Sequence, residues 1–209
     1  MDTIVNQFKD IPTTCISDAM EGLNNFHPAI KPLKEKYKFA GRALPVKIPV
    51  GDNLSVLKAI RAAKPGDVIV VDSKGNEYRG IAGDFVVGMA QTLGVGALVV
   101  DGTIRDCVGI KDLDFPVFCI GTTVAASGKA GVGEINVPIS CGGAAVHPRD
   151  IIVGDADGVV VIPQQSEKEI LRIAMDRLKR DQEREANISG NPEAIRKYLD
   201  SFISNSSNK

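Results

Sequence analysis

Tryptophan is absent from the 209 residues, and only seven phenylalanines and three tyrosines are present. A chain so poor in large rings offers no stacking platform for nucleobases. Neither sign of charge is in excess: 25 basic side chains face 26 acidic ones, for a net charge of -1. No nucleic acid is therefore expected as the main partner. Histidine occurs twice, and the four cysteines, Cys15, Cys107, Cys119 and Cys141, show no paired spacing. A zinc centre is not expected, and reduced thiols in a cytoplasm are the default. No apolar run approaches membrane length and no basic, apolar leader precedes Ile11, so the expected chain is cytoplasmic with no membrane partner.

What is present is one long stretch, GDFVVGMAQTLGVGALVVDGTIRD, from Gly83 to Asp106, with nothing charged between Asp84 and Asp101 and its charges only at the two ends. Asp84 stands where an N-cap belongs, ahead of a helix carrying Phe85, Val86, Val87, Met89, Ala90 and Leu93. Gly94 and Gly96 end that helix, Ala97 to Val100 reads as a strand covered on both faces, and Asp101-Gly102 supplies turn chemistry. Such a segment is expected in the core, with its terminal charges meeting at a cavity mouth. Arg105 and Asp106 can share one pocket only if the chain bends there.

Those groups have a chemistry. Free amides at Phe85, Val86 and Val87 would form an anion site at a helix N-terminus. Arg105 offers a planar fork suited to a carboxylate. Asp106, with Asp84 near it, could hold a hard divalent cation that keeps several waters. Together they suit a reaction that forms an enolate. A plainer reading stands beside this one. Asp84 as a simple cap contributes about 0.5–2 kcal/mol, and Arg105-Asp106 as an exposed pair about 0–1 kcal/mol.

The rest of the chain suits a single domain of residues 1–188 followed by a short helix and polar tail over 189–209. Helices are expected over Ile11–Leu23, capped by Thr13 or Thr14, and over Asn53–Ala63. A loop covers Phe26–Lys36, and a strand Phe39–Val50, with Lys47 deep inside it. Asp67–Asp72 reads as a buried strand closed by a turn at Ser73–Asn76, and Val108–Leu113 as one helical turn. Pro116–Ile120 is another strand. Gly121–Pro138 lacks both phosphate-binding glycine patterns and reads as a loop and strand edge at a subunit contact. Two strands fill Ile151–Ile162. Ser166 and Glu169 form a capping box for a long helix to about Asn187, whose later part, DRLKRDQERE, is charged all round. Asn191 starts a last helix, and Ser204–Lys209 is expected to be disordered.

Asp84, twenty intervening residues and then Arg105-Asp106 make a D-x20-R-D motif. With TCISDA from Thr14, Cys141-Gly142-Gly143, and IIVGDADGVVVIP from Ile151 to Pro163, it resembles the class II pyruvate aldolases of the RraA-like superfamily over residues 8–188. These include 4-hydroxy-4-methyl-2-oxoglutarate and 4-carboxy-4-hydroxy-2-oxoadipate aldolase. The resemblance implies an α/β chain with the three-layer β/β/α swivelling-domain fold and a long C-terminal helix. It implies a homotrimer or hexamer with sites between subunits. It also implies retro-aldol cleavage of a 4-hydroxy-2-oxo acid to pyruvate, with oxaloacetate decarboxylation as a side activity. In that scheme Asp106 holds Mg²⁺ or Mn²⁺, Arg105 and the amides after Asp84 bind the substrate, and Asp84 positions a water for the C4 hydroxyl proton. A glutamate from the neighbouring chain assists: Glu183, with Asp181 and Glu185 as alternatives in register. The motif holds no lysine, so no Schiff base is expected. The alternative is an RraA-type protein that binds and restrains a ribonuclease without catalysis, and such relatives are understood to lack the first acid. A methyltransferase is disfavoured by the missing glycine-rich cofactor motif.

Overall fold

The computed structural model describes residues 2–206. Two helices open the chain, α1 (Thr3–Lys9) and α2 (Thr13–Ala19), followed by β1 (Lys31–Pro32) and β2 (Phe39–Lys47). Next come α3 (Leu54–Ala62), β3 (Val68–Asn76), β4 (Arg79–Gly80) and α4 (Asp84–Thr92). After these lie β5 (Ala97–Ile104), α5 (Cys107–Leu113) and β6 (Val117–Cys119). The glycine-rich stretch holds three short strands, β7 (Gly121–Thr122), β8 (Ala125–Ala126) and β9 (Glu134–Ile135). A hairpin follows, β10 (Ile139–Cys141) and β11 (Ala144–Val146), and then the pair β12 (Ile151–Asp155) and β13 (Gly158–Ile162). Helices α6 (Glu167–Ile188) and α7 (Pro192–Ser206) close the chain.

The main sheet runs β1-β6-β5-β3-β2-β12-β13. Its centre is parallel, β2 with β3, β3 with β5 and β5 with β6, and its margins are antiparallel. Parallel neighbours need a crossover, and α3, α4 and α5 provide one each. Val68 to Val71 and Ala97 to Val100 are buried on both sides, as their unbroken apolar runs require. One face packs on α3, α4 and α5 through Val56, Val87 and Ile110. The other packs on the β10–β11 hairpin through Ile139 and Val146. This makes three layers, β/β/α, with a long C-terminal helix: the expected fold class. At the antiparallel margin, Ile151, Val153 and Ile162 meet Phe8, Ile16 and Leu171 of α1, α2 and α6. Each such side chain contributes about 1.5–3 kcal/mol when fully buried. Among the described residues, no helix is long and apolar enough to cross a membrane.

Several local expectations fail for identifiable reasons. Asp101-Gly102 is no turn, because β5 continues to Ile104. Gly102 is there for close approach: an added Cβ would strike Ser73 Oγ, and Asn76 O would lie 2.9 Å away. Ser73–Asn76 likewise stays within β3, with a register shift between Asp72 and Asn76. Thr13 does not cap α2. Its amide and hydroxyl both donate to the Asp155 carboxylate, at 2.8 and 2.6 Å. Ser166 makes no side-chain cap for α6, so the capping box does not form. Glu167 takes a tertiary partner instead of Glu169 looping back. Lys47 ends β2 half-exposed, 3.5 Å from Glu134, and is not deep in the strand. The last helix runs on to Ser206, through the first part of the segment expected to be disordered. Residues 207–209 lie outside the described residues.

Arg42 ties the margin together. Its Nε lies 2.7 Å from Asp2 and its Nη1 2.6 Å from Glu167, with a further bond to the Arg149 carbonyl at 3.1 Å. The hydrogen bond from Arg42 holds the Asp2 carboxyl below its usual 3.8. Because the folded value lies below the unfolded one, this contribution is complete above the unfolded value and is lost as pH falls through the folded one. Arg42→Met should leave the 16% exposed Glu167 carboxylate without its partner and lower stability by about 3 kcal/mol. A loss of unfolding free energy well under half of that, measured by denaturant titration, would show the cluster to be dispensable.

Candidate active site

Three of the charged residues of the central stretch, Asp84, Arg105 and Asp106, lie where two helices begin. Helix α4 begins with Asp84 as its first residue and Gly83 as its cap, one position earlier than the sequence suggests. The Asp84 carboxylate therefore caps nothing across the turn. Its Oδ1 accepts the next amide, Phe85 N–H, at 2.6 Å. A strap formed by Arg79 to Gly83 runs beside the end of β5. Ile81 N–H donates to Thr103 O, and Arg105 N–H donates to Ala82 O, both at 2.9 Å.

The bend that lets Arg105 and Asp106 share a side lies at Asp106 itself. Its φ of 56° puts it in the left-handed region, where side chains other than glycine are uncommon and cluster at functional sites. Asp106 is the cap residue of α5, yet its carboxylate makes no cap bond. Instead Oδ2 lies 3.1 Å from Arg105 Nε, with both side chains 41% exposed.

Three glycines make room for this meeting. At Gly83 an added Cβ would collide with Asp106 Oδ2, and at Gly109 it would lie 2.6 Å from Asp84 Oδ2. At Gly80 it would come within 3.1 Å of Arg105 Cβ. Each acid thus sits on the first turn of the other's helix. Sequence reasoning passed over all three glycines, since only the tertiary contacts give them a role.

The expected amide cluster is partly spent. Val87 N–H donates to Gly83 O at 3.0 Å and Phe85 N–H to Asp84, which leaves Val86 as the one of the three that neither bond uses. The expectation that the whole stretch is core also fails on one side. Phe85 is 77% exposed, and Leu93 is exposed as well. They border an open cleft of about 990 Å³ lined also by Asp84, Gly109, Leu57, Met89 and Leu113, but not by Arg105 or Asp106.

Within one chain Glu183 does not join this group. It lies exposed on α6, 3.9 Å from Lys179. That helix packs chiefly on α1, α2 and α7. Asp181 is engaged by Arg184 at 2.6 Å, and Glu185 faces α7 near Tyr198. Only a second copy could bring any of them to Asp106. Among the described residues no three His, Cys, Asp or Glu side chains gather as a metal site. Burial pushes the Cys119 thiol up to about 11 and that of Cys141 well above the usual range.

A sequence profile described as RraA-like, Aldolase/RraA, matches residues 13–161. A protein of Halalkalibacterium halodurans, provisionally named 4-hydroxy-4-methyl-2-oxoglutarate aldolase, is 56% identical over 199 residues, 95% of each chain. An uncharacterised protein of Pseudomonas syringae pv. tomato superposes with a TM-score of 0.83 at 23% identity, over 95% of this chain and 94% of that one. The RNA-processing inhibitor RraA from Thermus thermophilis superposes with a TM-score of 0.68 at 27% identity, over 74% and 93%.

The close contact at Gly83 can be tested. Gly83→Ala should swing the Asp106 carboxylate away and break its 3.1 Å contact with Arg105, which a crystal structure of the variant would show. Unfolding free energy should change by less than about 1 kcal/mol. An undisturbed Asp106 would mean that the glycine serves the helix start alone.

Proposed function

The chain belongs to the RraA-like family, and on that premise we propose that it is a divalent-metal-dependent aldolase cleaving a 4-hydroxy-2-oxo di- or tricarboxylic acid to pyruvate and a second carbonyl compound. The observation that carries this reading is the contact of Arg105 with Asp106, whose carboxylate lies against Gly83 beside Asp84 at the start of α4. The name of the 56% identical relative supports the aldolase class.

The donor set suits a hard cation. Asp106 is half-exposed and spends nothing on its own helix, and Mg²⁺ accepts one or two carboxylates with waters and substrate oxygens as its other ligands. Asp106 would hold the ion, assisted by Glu183 of the partner subunit in a homotrimer or hexamer. When bound, Mg²⁺ or Mn²⁺ supplies the positive charge that stabilises the pyruvate enolate.

The chain's own groups do the rest. The Arg105 fork and the Val86 amide grip the substrate carboxylate, and the positive end of α4 favours an anion there. Asp84, through one water, takes the proton of the C4 hydroxyl. The C3–C4 bond breaks, C4 becomes the new carbonyl, and the electron pair goes to the pyruvate half. A proton returned to C3 completes pyruvate. Decarboxylation of oxaloacetate makes the same enolate and is the proposed side activity.

The likeness to an RNA-processing inhibitor favours a second reading, a ribonuclease-binding regulator without catalysis, and the presence of Asp84 weighs against it. Pyruvate release from a panel of 4-hydroxy-2-oxo acids, with Mg²⁺ and after chelation, decides between them. Release that a chelator abolishes and borohydride leaves intact is expected. No release with any divalent ion would favour the regulator.

Asp84→Asn separates the local role from the chemical one. At the first helical position a lost carboxylate weakens the helix by only about 0.3–1 kcal/mol. The proton-relay role predicts a fall of roughly 10²–10⁴ in kcat. Turnover and thermal melts on one preparation measure both, and full specific activity would remove Asp84 from the reaction.

A further inference from the structure

Four successive carbonyls lead up to the acid at the start of α4, and each has a donor. Arg79 O accepts from Asn76 Nδ2 at 3.2 Å and from Thr103 Oγ1 at 3.3 Å. Gly80 O accepts from Ser127 Oγ at 2.9 Å, and Ile81 O from Asn53 Nδ2 at 3.0 Å. Ala82 O accepts from Arg105 N–H at 2.9 Å. The next residue, Gly83, lies against Asp106 Oδ2. Whatever fixes Ile81 therefore fixes the carbonyl that holds Arg105, the surface against which Asp106 rests, and the start of Asp84's helix.

Asn53 occupies a position where it should serve its own helix. It is the cap residue of α3, yet its side chain makes no cap bond. The neighbouring Asp52 takes over, its Oδ1 accepting Leu54 N–H at 3.1 Å. Asn53 is only 8% exposed, its Nδ2 is committed to Ile81 O, and its Oδ1 has no partner. A buried amide with one end unsatisfied is a poor device for stability alone. Its one bond goes to the strap.

We propose that Asn53 is a positioning residue for the Asp84–Arg105–Asp106 group, acting through the Ile81 carbonyl, with Ser127 as a weaker companion through Gly80. The inference rests on the catalytic reading above for its kinetic consequence, but not for its structural one. Asn53 touches none of the reacting groups in this scheme. It sets where they stand, and small misplacements of such groups cost rate steeply.

The test uses Asn53→Asp, Asn53→Ala and Ser127→Ala in the full chain. Asn53→Asp keeps the shape and loses the donor while ionised, but a protonated carboxyl can donate to Ile81 O again. Its kcat should fall at least about tenfold on the alkaline side and recover as pH is lowered. That extra limb should be missing from the wild type and from Asn53→Ala, and KM should move less than kcat. Amide hydrogen exchange should quicken at Arg105 in all three variants, least in Ser127→Ala, with the global unfolding midpoint nearly unchanged. Unchanged kcat per folded molecule, or unchanged exchange at Arg105, overturns the proposal. If the wild type releases no pyruvate, the catalytic reading has failed. Exchange at Arg105 alone then decides: quickened, it supports the clamp, and unchanged, it refutes it. Should either Asn53 variant fail to fold, Ser127→Ala carries the same decision through Gly80.

Discussion

The candidate site is arranged around two apolar runs, in β3 and β5, that can tolerate nothing polar. Strands β3 and β5 are buried on both faces over Val68–Val71 and Ala97–Val100. An unpaired charge placed there would cost several kcal/mol. Charge must therefore wait until the apolar runs end, at Asp72 and Asp101. In parallel α/β sheets such ends lie together at the carboxyl edge, and ligands gather there. Asp72, Asp101, Arg105 and Asp106 all follow that order, each lying at or beyond the carboxyl end of an apolar run. The double covering comes first, and the location of the candidate site follows from it.

Within that edge, most positions are set by backbone and not by side chains. The carbonyls of the 79–82 strap, the left-handed Asp106 and the glycines at 80, 83 and 109 fix where the acids and the arginine stand. The acids themselves contribute little to this framework. Such a division suits a fold that serves several purposes, because function sits on the framework without being part of it.

This also explains what could be read from the amino-acid order. Layering was legible, since continuous apolar runs separated by amphipathic helices leave few arrangements open. The D-x20-R-D spacing was legible because it spans one helix and one strand, from the start of the first to just past the end of the second. The bend was not. Asp101-Gly102 carries turn chemistry, but the glycine answers to Ser73 across the sheet, and the turning falls on a non-glycine residue five positions beyond Asp101. The three site glycines and Asn53 were invisible for a related reason: their partners lie far off in the chain. A role for Glu183 depends on a second copy, which no property of one chain's order can place.

The local setting of Asp84 carries one more implication. Its carboxylate bonds only to the amide of its own neighbour and rests on a glycine, so no distant part of the fold depends on it. Natural drift can delete such a residue and leave the architecture standing. Lineages that share this shape can then part company in trade without parting in form. The same looseness allows the return journey, since restoring one acid at the head of one helix is a single codon away.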